Sequence, residues 1–301
     1  MKSTKMIGAL LGLLTAVVTA GYLLCFKAAP ADRTAITFAI ILWAAIFNSG
    51  VVVIRIRTTP RPNRSWYISA LFLAVMTVAG NISLGVALDQ LGPGVASTMM
   101  QLQIFFIAIG AWIFLRERVS VPLALGALLA VGGFVSFALP SSSSASLPGI
   151  GLLCGAITAL TFSGMMIWTR AVIRDLDPIS LNAGRLWVGV IAMSFWPGLL
   201  AKVVAMPVDA WLLSIAAAAL GPFVGRLCVM YSLRFISAAE TKLWGMLSPI
   251  FAFLFVFLLY GQVPSTREIV GGALIVSGVL LPTLFALRGL RRSRLSSEIA
   301  S

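Results

Sequence analysis

The chain has 301 residues, 60% of them hydrophobic and only 10% charged, with a mean hydropathy of +1.03. Soluble domains carry about 25% charged residues, so water does not solvate the bulk of this chain and a membrane protein is expected. With no histidine at all, His-based acid/base catalysis, Ser-His triads and His metal sites are excluded, and the formal net charge of +13 resides mostly in short connecting segments and the C-terminal tail, where topology explains it better than nucleic acid does.

Apolar runs of about 20 residues cross a ~30 Å hydrocarbon core as helices, and the sequence holds ten of them. The first, 6–26, follows Lys2 and Lys5 and carries Gly8 and Gly12 at the GxxxG spacing of close helix contact. It reads as a retained helix, because no convincing A-x-A-like cleavage site follows it. The second span is 35–54. The third, 66–87, opens on Trp66, which suits the interfacial aromatic belt, and places Asn81 directly after Gly80. The fourth, 94–114, contains Gln101 and Gln103. Two residues apart on a helix, these point in different directions, so at most one is expected to face a cavity. The fifth is 121–139, and the serine-rich stretch 141–148 reads as a linker.

A second series follows: 149–169, 180–200 with Arg185 inside it, 210–233 with Gly225 and Arg226, 240–260 opening on Glu240, Lys242 and Trp244, and 268–287. Trp211 starts the eighth span as Trp66 starts the third. Pro197, Pro222, Pro249 and Pro282 lie within these spans, where membrane helices accept proline as kinks. Cys25, Cys154 and Cys228 sit in apolar segments without CxxC spacing and read as buried thiols rather than a disulfide framework.

Counting Lys and Arg in the connections, with the N-terminus inside, gives fifteen on one side and four (Lys27, Arg33, Lys202 and Arg267) on the other. Both termini are therefore expected in the cytoplasm of a cell whose inner membrane the chain crosses repeatedly.

The two series repeat one another. At an offset of 145, Gly126 meets Gly271, Gly133 meets Gly278, Ser120 meets Ser265, and Trp66 meets Trp211; GALLG at 8–12 aligns with GLLCG at 151–155 at an offset of 143. Each series has five spans, an odd number, so the second enters the membrane from the opposite side. The expected fold is an all-α membrane protein of ten transmembrane helices built as two inverted five-helix repeats, 1–140 and 149–288, joined by the linker 141–148 and followed by a basic tail, 289–301. Such architecture places a solute site near the midplane between the halves.

Three basic residues remain inside spans: Arg185, Arg226 and Lys242. A bare guanidinium at mid-bilayer depth costs about 3 kcal/mol. The repeat places Arg226 over Asn81, each directly after a glycine, so both halves aim a polar group at one central space. Glu240 is expected to pair with Arg226 or Lys242, its alternative being a first-turn acid at a helix N-terminus. Lys242 and Arg185 lie near span ends, where snorkelling to the interface competes with a cavity role, and Asn81 has interhelical bonding as its alternative. The candidate cavity set is Arg226, Asn81, Glu240, Lys242, Arg185, Gln101, Gln103 and Trp244. Three cations against one acid favour a carboxylate-bearing or zwitterionic solute over an organic cation.

The residues WIFLRERVSVPLALGALLAVGGF (112–134), FLLYGQVPSTREIVGGALIVSG (257–278) and MYSLRFISAAETKLWGMLSPIFAFLF (230–255) resemble the drug/metabolite transporter superfamily of the EamA type over essentially the whole chain. Glu117 keeps the loop glutamate of that pattern in the first half, Gln262 replaces it in the second, and Arg116 stands where glycine is usual. The resemblance implies solute movement through a cavity between the halves. The expected function is a secondary transporter, not an enzyme, that exports a small polar metabolite such as an amino acid by alternating access. Alternatives are an uptake carrier, a lipid-linked-sugar translocator or a non-transporting membrane subunit. No cofactor and no metal are expected. The expected partners are a small-molecule solute and the lipid bilayer, without nucleic acid, and a monomer is compatible with the sequence.

Overall fold

The structure is a computed structural model that describes residues 2–299 except 56, 58–60, 118–119, 139–148 and 262–265. The linker 141–148, Arg118 and Gln262 thus lie outside the described residues. Among these residues all regular structure is helical: α1 Lys2–Ala28, α2 Arg33–Ile54, α3 Arg64–Gln101, α4 Gln103–Leu115, α5 Val121–Ala138, α6 Gly149–Val172, α7 Pro178–Ser194, α8 Leu199–Val204, α9 Val208–Ala218, a π-helical segment Ala219–Gly225, α10 Arg226–Phe235, α11 Ala238–Gly245, α12 Ser248–Tyr260 and α13 Thr266–Ile299. Five helical stretches among them are long and apolar enough to cross a membrane: Lys5–Ala28, Arg33–Ile54, Arg64–Ala87, Gly149–Val172 and Val208–Phe235. Large apolar side chains such as Trp112, Phe114, Leu153 and Leu258 stay more than half exposed on the outside, as a lipid-facing surface requires.

The helix starts follow from capping chemistry. The Asp32 carboxylate accepts from the N–H groups of Thr34 and Ala35 at the head of α2, and Asp177 accepts from Ser180 N–H at 2.9 Å ahead of Pro178 at the head of α7. The backbone departs from the expected spans where proline and glycine act. The seventh run is split: α7 ends at Ser194 and Gly198 takes a left-handed φ of 72° before the short α8. The eighth holds Pro222 in a π-helical turn, which absorbs the missing N–H. The ninth breaks at Met246 and Leu247, ahead of Ser248. The tail residues to Ile299 continue α13 rather than leaving it.

The loop expected between the third and fourth spans is also different. Helical hydrogen bonding runs from Arg64 to Gln101, and the break falls at Leu102. The chain nevertheless reverses within this stretch. Thr158 Oγ donates to the Gly80 carbonyl and Ser163 Oγ to the Gln103 carbonyl, so Gly80 and Gln103 touch α6 five residues apart. On a straight helix they would lie about 35 Å apart. The first part of α3 runs antiparallel to α6, with Ser69 against Trp168 and Thr77 against Met165. Helix α4 runs parallel to α6, with Gln103 against Ser163 and Gly110 against Ile167.

Local features recur at the 145-residue offset. Leu102 and Leu247 precede α4 and α12, and those helices end on left-handed residues, Arg116 (φ 54°) and Gly261 (φ 64°). Contacts recur as well. A Cβ at Gly126 would strike the Gly278 carbonyl, and one at Gly133 the Gly271 carbonyl. Gly80 packs against Thr161 and Phe162 of α6, while Gly225 packs against Val18 of α1. The buried apolar side chains form two clusters, one around Leu73, Ile107, Ile173, Leu233, Met246 and Ile275, the other around Ile36, Leu186, Leu199 and Ala217.

Candidate functional site

A cavity of about 520 Å³ opens among the helices, within the 300–1,000 Å³ usual for small-molecule sites. Its wall draws on both series of spans: Thr15, Thr19 and Tyr22 from α1, Thr37 from α2, Thr77 and Asn81 from α3, Phe162 and Met165 from α6, Arg185 from α7, Pro222 and Gly225 from the π turn, Arg226 from α10, and Thr241 and Lys242 from α11.

Arg185 is 2% exposed and firmly held. Its Nε donates to Asn182 Oδ1 at 2.8 Å and a terminal nitrogen donates to Thr77 Oγ at 2.6 Å. Asn182, one turn earlier on α7, donates in turn to Asn48 Oδ1 and to the Pro222 carbonyl, both at 2.9 Å. The π turn supplies that last acceptor, because the Arg226 N–H bonds to the carbonyls of Gly221 and Phe223 and bypasses Pro222. Backbone irregularity in one helix thus orients a cation on another.

Arg226 is 9% exposed, and its Nη2 donates to Thr169 Oγ at 2.7 Å. Among the described residues its Nε–H is buried with no acceptor, and Gln101 Oε1 is buried with no donor. Asn81 donates to the Thr77 carbonyl one turn earlier at 2.7 Å and also lines the cavity. Gln101 and Gln103 both line it, contrary to the expectation that at most one would. The helical periodicity behind that expectation is interrupted between them, at Leu102.

Two of the eight candidates lie elsewhere. Glu240 pairs with neither Arg226 nor Lys242. Its carboxylate accepts from the N–H and the hydroxyl of Ser237, both at 3.0 Å, while Ser237 Oγ accepts from Glu240 N–H, a complete capping box at the head of α11. Trp244 packs its Cβ and ring against Gly12 of α1 rather than the cavity. Cys228 is buried as expected, but Cys25 and Cys154 are only half-buried. The wall residues that sequence reasoning missed are mainly threonines and Asn182's network. Thr77 shares a helix face with Asn81 four residues on, and Asn182 with Arg185 three on, a periodicity that offers a signal for both.

Outside the cavity, three ion pairs among the described residues join segments from the two series. On one face Lys202 Nζ meets Asp32 at 2.9 Å; on the other Arg170 Nε meets Glu117 at 2.7 Å and Arg55 meets Asp177 at 3.9 Å. Arg170 also donates to the Leu233 carbonyl. Asp32 is held down at about 2, first by the Thr34 hydroxyl and further by Lys202 and the backbone N–H groups, against partial desolvation.

This arrangement, a multi-pass helical membrane protein with a largely apolar cavity that carries cationic and amide side chains among Phe26, Ile40, Ile41, Leu84, Met166 and Leu186 and is walled by both of its series, defines the class of membrane transporters. The EamA-like transporter family model matches the chain twice, over residues 6–139 and 149–284, and the chain belongs to that family. It is 24% identical over 201 residues to an uncharacterised transporter, YdfC, of Bacillus subtilis, covering 66% of this chain and 65% of that one, just under two thirds of the relative's length. It is 20% identical over 226 residues to an uncharacterised transporter of Archaeoglobus fulgidus, covering 75% of this chain and 78% of that one. One crystal structure superposes with a TM-score of 0.76 over 94% of this chain and 99% of its own at 18% identity, a likeness of fold alone.

Proposed function

We propose that this transporter exports a small polar metabolite, such as an amino acid, across the inner membrane by alternating access. Its ten membrane crossings form two five-helix units of opposite sense, 1–140 and 149–288, with the linker 141–148 between them, the basic tail 289–301 after them and both termini in the cytoplasm. The observation that carries this reading is the cavity: Arg185 and Arg226 from one unit and Asn81, Thr77 and Gln101 from the other converge on it. The substrate-binding set we propose is Arg226, Arg185, Lys242, Asn81, Gln101 and Gln103. Reciprocal packing supports the opposite sense of the units. Gly126 on Gly278 and Gly133 on Gly271 exchange under the 145-residue offset, as contacts across a two-fold axis do. The excess of Lys and Arg in alternate connections supports the orientation.

Counterflow tests the proposal. Vesicles containing the purified protein and loaded with an unlabelled amino acid are expected to accumulate the labelled one, and Arg226→Ala is expected to abolish this while membrane insertion stays near normal. Wild-type rates in that variant would overturn the cavity role of Arg226.

A further inference from the structure

The charge balance of the cavity carries more than the presence of a site. Its wall contains three cations, Arg185, Arg226 and Lys242, and among the described residues that line it none is acidic. The only acid within reach by sequence, Glu240, is spent on its capping box. The neutral oxygens of Asn182, Thr77 and Thr169 satisfy hydrogen bonds of the two arginines but cancel no charge.

The three cations are not equally committed. Arg185 has two of its nitrogens engaged and is 2% exposed, so it acts as a fixed positive charge behind the wall. Arg226 keeps a buried Nε–H without an acceptor. No carboxylate among the described residues pairs with the Lys242 ammonium. A buried unpaired donor on a guanidinium waits for an anionic acceptor, and an arginine fork takes carboxylate or phosphate oxygens two at a time.

Resting on the transporter reading above, we infer that the solute is an anion with two ionisable acidic oxygens, on two carboxylates or one phosphate, held between Arg226 and Lys242, with Arg185 supplying the background field. A single carboxylate leaves two cations uncompensated in a low-dielectric space, and a zwitterion adds a fourth positive charge to it. Two carboxylates, or one phosphate monoester, bring the cavity close to neutrality. The buried Gln101 Oε1, which has no donor, accepts from a hydroxyl or amine elsewhere on the solute.

The test uses the full-length protein in vesicles, with exchange measured for succinate, L-glutamate, inorganic phosphate, L-alanine and L-lysine. Exchange of at least one of the first three is expected to exceed that of alanine and lysine by about tenfold or more. Comparing succinate with phosphate identifies which acidic group fits. Lys242→Gln is expected to weaken the dianion by about tenfold, the loss of one charge-assisted contact, and to weaken alanine by clearly less. Lys242→Glu is expected to raise alanine exchange relative to succinate. Arg226→Lys, which keeps the charge and loses the fork, separates geometry from field and is expected to retain partial exchange. Thermal unfolding of each variant in detergent verifies that it is folded. Preferential exchange of alanine or lysine overturns the charge assignment and leaves the transporter reading standing. Folded protein that exchanges none of the five overturns both.

Discussion

At the scale of single residues, the proposed site needs side chains of two kinds, some that hold it in place and some that are expected to face the solute. Asn182 belongs to the first kind. It is fully buried and links Asn48, the Pro222 carbonyl and Arg185. Asn182→Ala leaves Arg185 Nε without its acceptor, a buried group costing about 1–3 kcal/mol, and removes the donor to the Pro222 carbonyl. The variant is expected to unfold in detergent at a clearly lower temperature and to lose transport with it. Asn81 belongs to the second kind. Its back-bond to Thr77 is made within one helix, so Asn81→Ala is expected to leave stability almost unchanged and to impair exchange. Ser83→Ala, at a position that does not line the cavity, is expected to affect neither. Equal exchange in the two variants would remove Asn81 from the site. Arg226 and Asn81 were readable from the sequence because each is a polar residue after a glycine at repeat-related positions. Asn182 and Thr77 were harder to read, since Asn and Thr in membrane helices usually bond to backbone or neighbouring helices, and only the pairing of helix faces separates these two from the rest.

At the scale of helices, glycine placement was readable and helix breaks were only partly so. The pairs Gly126 and Gly271, Gly133 and Gly278 stand out as a repeat, and the structure brings them together across α5 and α13. What the sequence did not reveal is that Gln101 and Gln103 flank a break, because Leu102 has no special backbone preference. Two predictions belong here. Gly126→Ala and Gly278→Ala drive a methyl into backbone across the crossing and are expected to lower stability by about 1–3 kcal/mol. Gly132→Ala and Gly272→Ala, which meet nothing within 4 Å, are expected to be neutral or slightly stabilising. Thermal unfolding of the four variants checks the contrast. Arg116 closes α4 in the left-handed conformation with φ 54°, where its counterpart Gly261 does so without a side chain. A left-handed non-glycine residue costs about 1 kcal/mol, so Arg116→Gly is expected to raise the unfolding temperature, and a fall would show that the arginine side chain stabilises the loop by more than the strain costs.

At the scale of the whole molecule, the alternating access proposed above requires that the two units part on one face while they stay joined on the other, and the ion pairs are the contacts that such a motion is expected to break. Lys202 and Asp32 are 53% and 40% exposed, whereas Arg170 and Glu117 are 14% and 21% exposed and backed by the Leu233 carbonyl. Exposed pairs contribute at most about 1 kcal/mol, so the Asp32 face is the more easily opened one. The carboxyl of Asp32 is held at about 2, below its ordinary value. Its contribution is therefore fully present above about pH 4 and is lost as pH falls towards 2. Above about pH 5 the Asp32 carboxylate is expected to stay charged, and Asp32→Asn is expected to differ from wild type by the same small amount at pH 5, 6 and 7. Motion itself is tested by tying the faces. In a chain whose three native cysteines are replaced by serine, Asp32→Cys with Lys202→Cys bridged by a short cleavable bifunctional reagent is expected to stop exchange, and cleavage is expected to restore it. Glu117→Cys with Arg170→Cys is expected to behave the same way on the opposite face, with a slower uncross-linked rate, because removing this partly buried pair leaves the Leu233 carbonyl without the Arg170 donor. If exchange continues at full rate with either face tied, the halves do not separate there and the solute passes by another route.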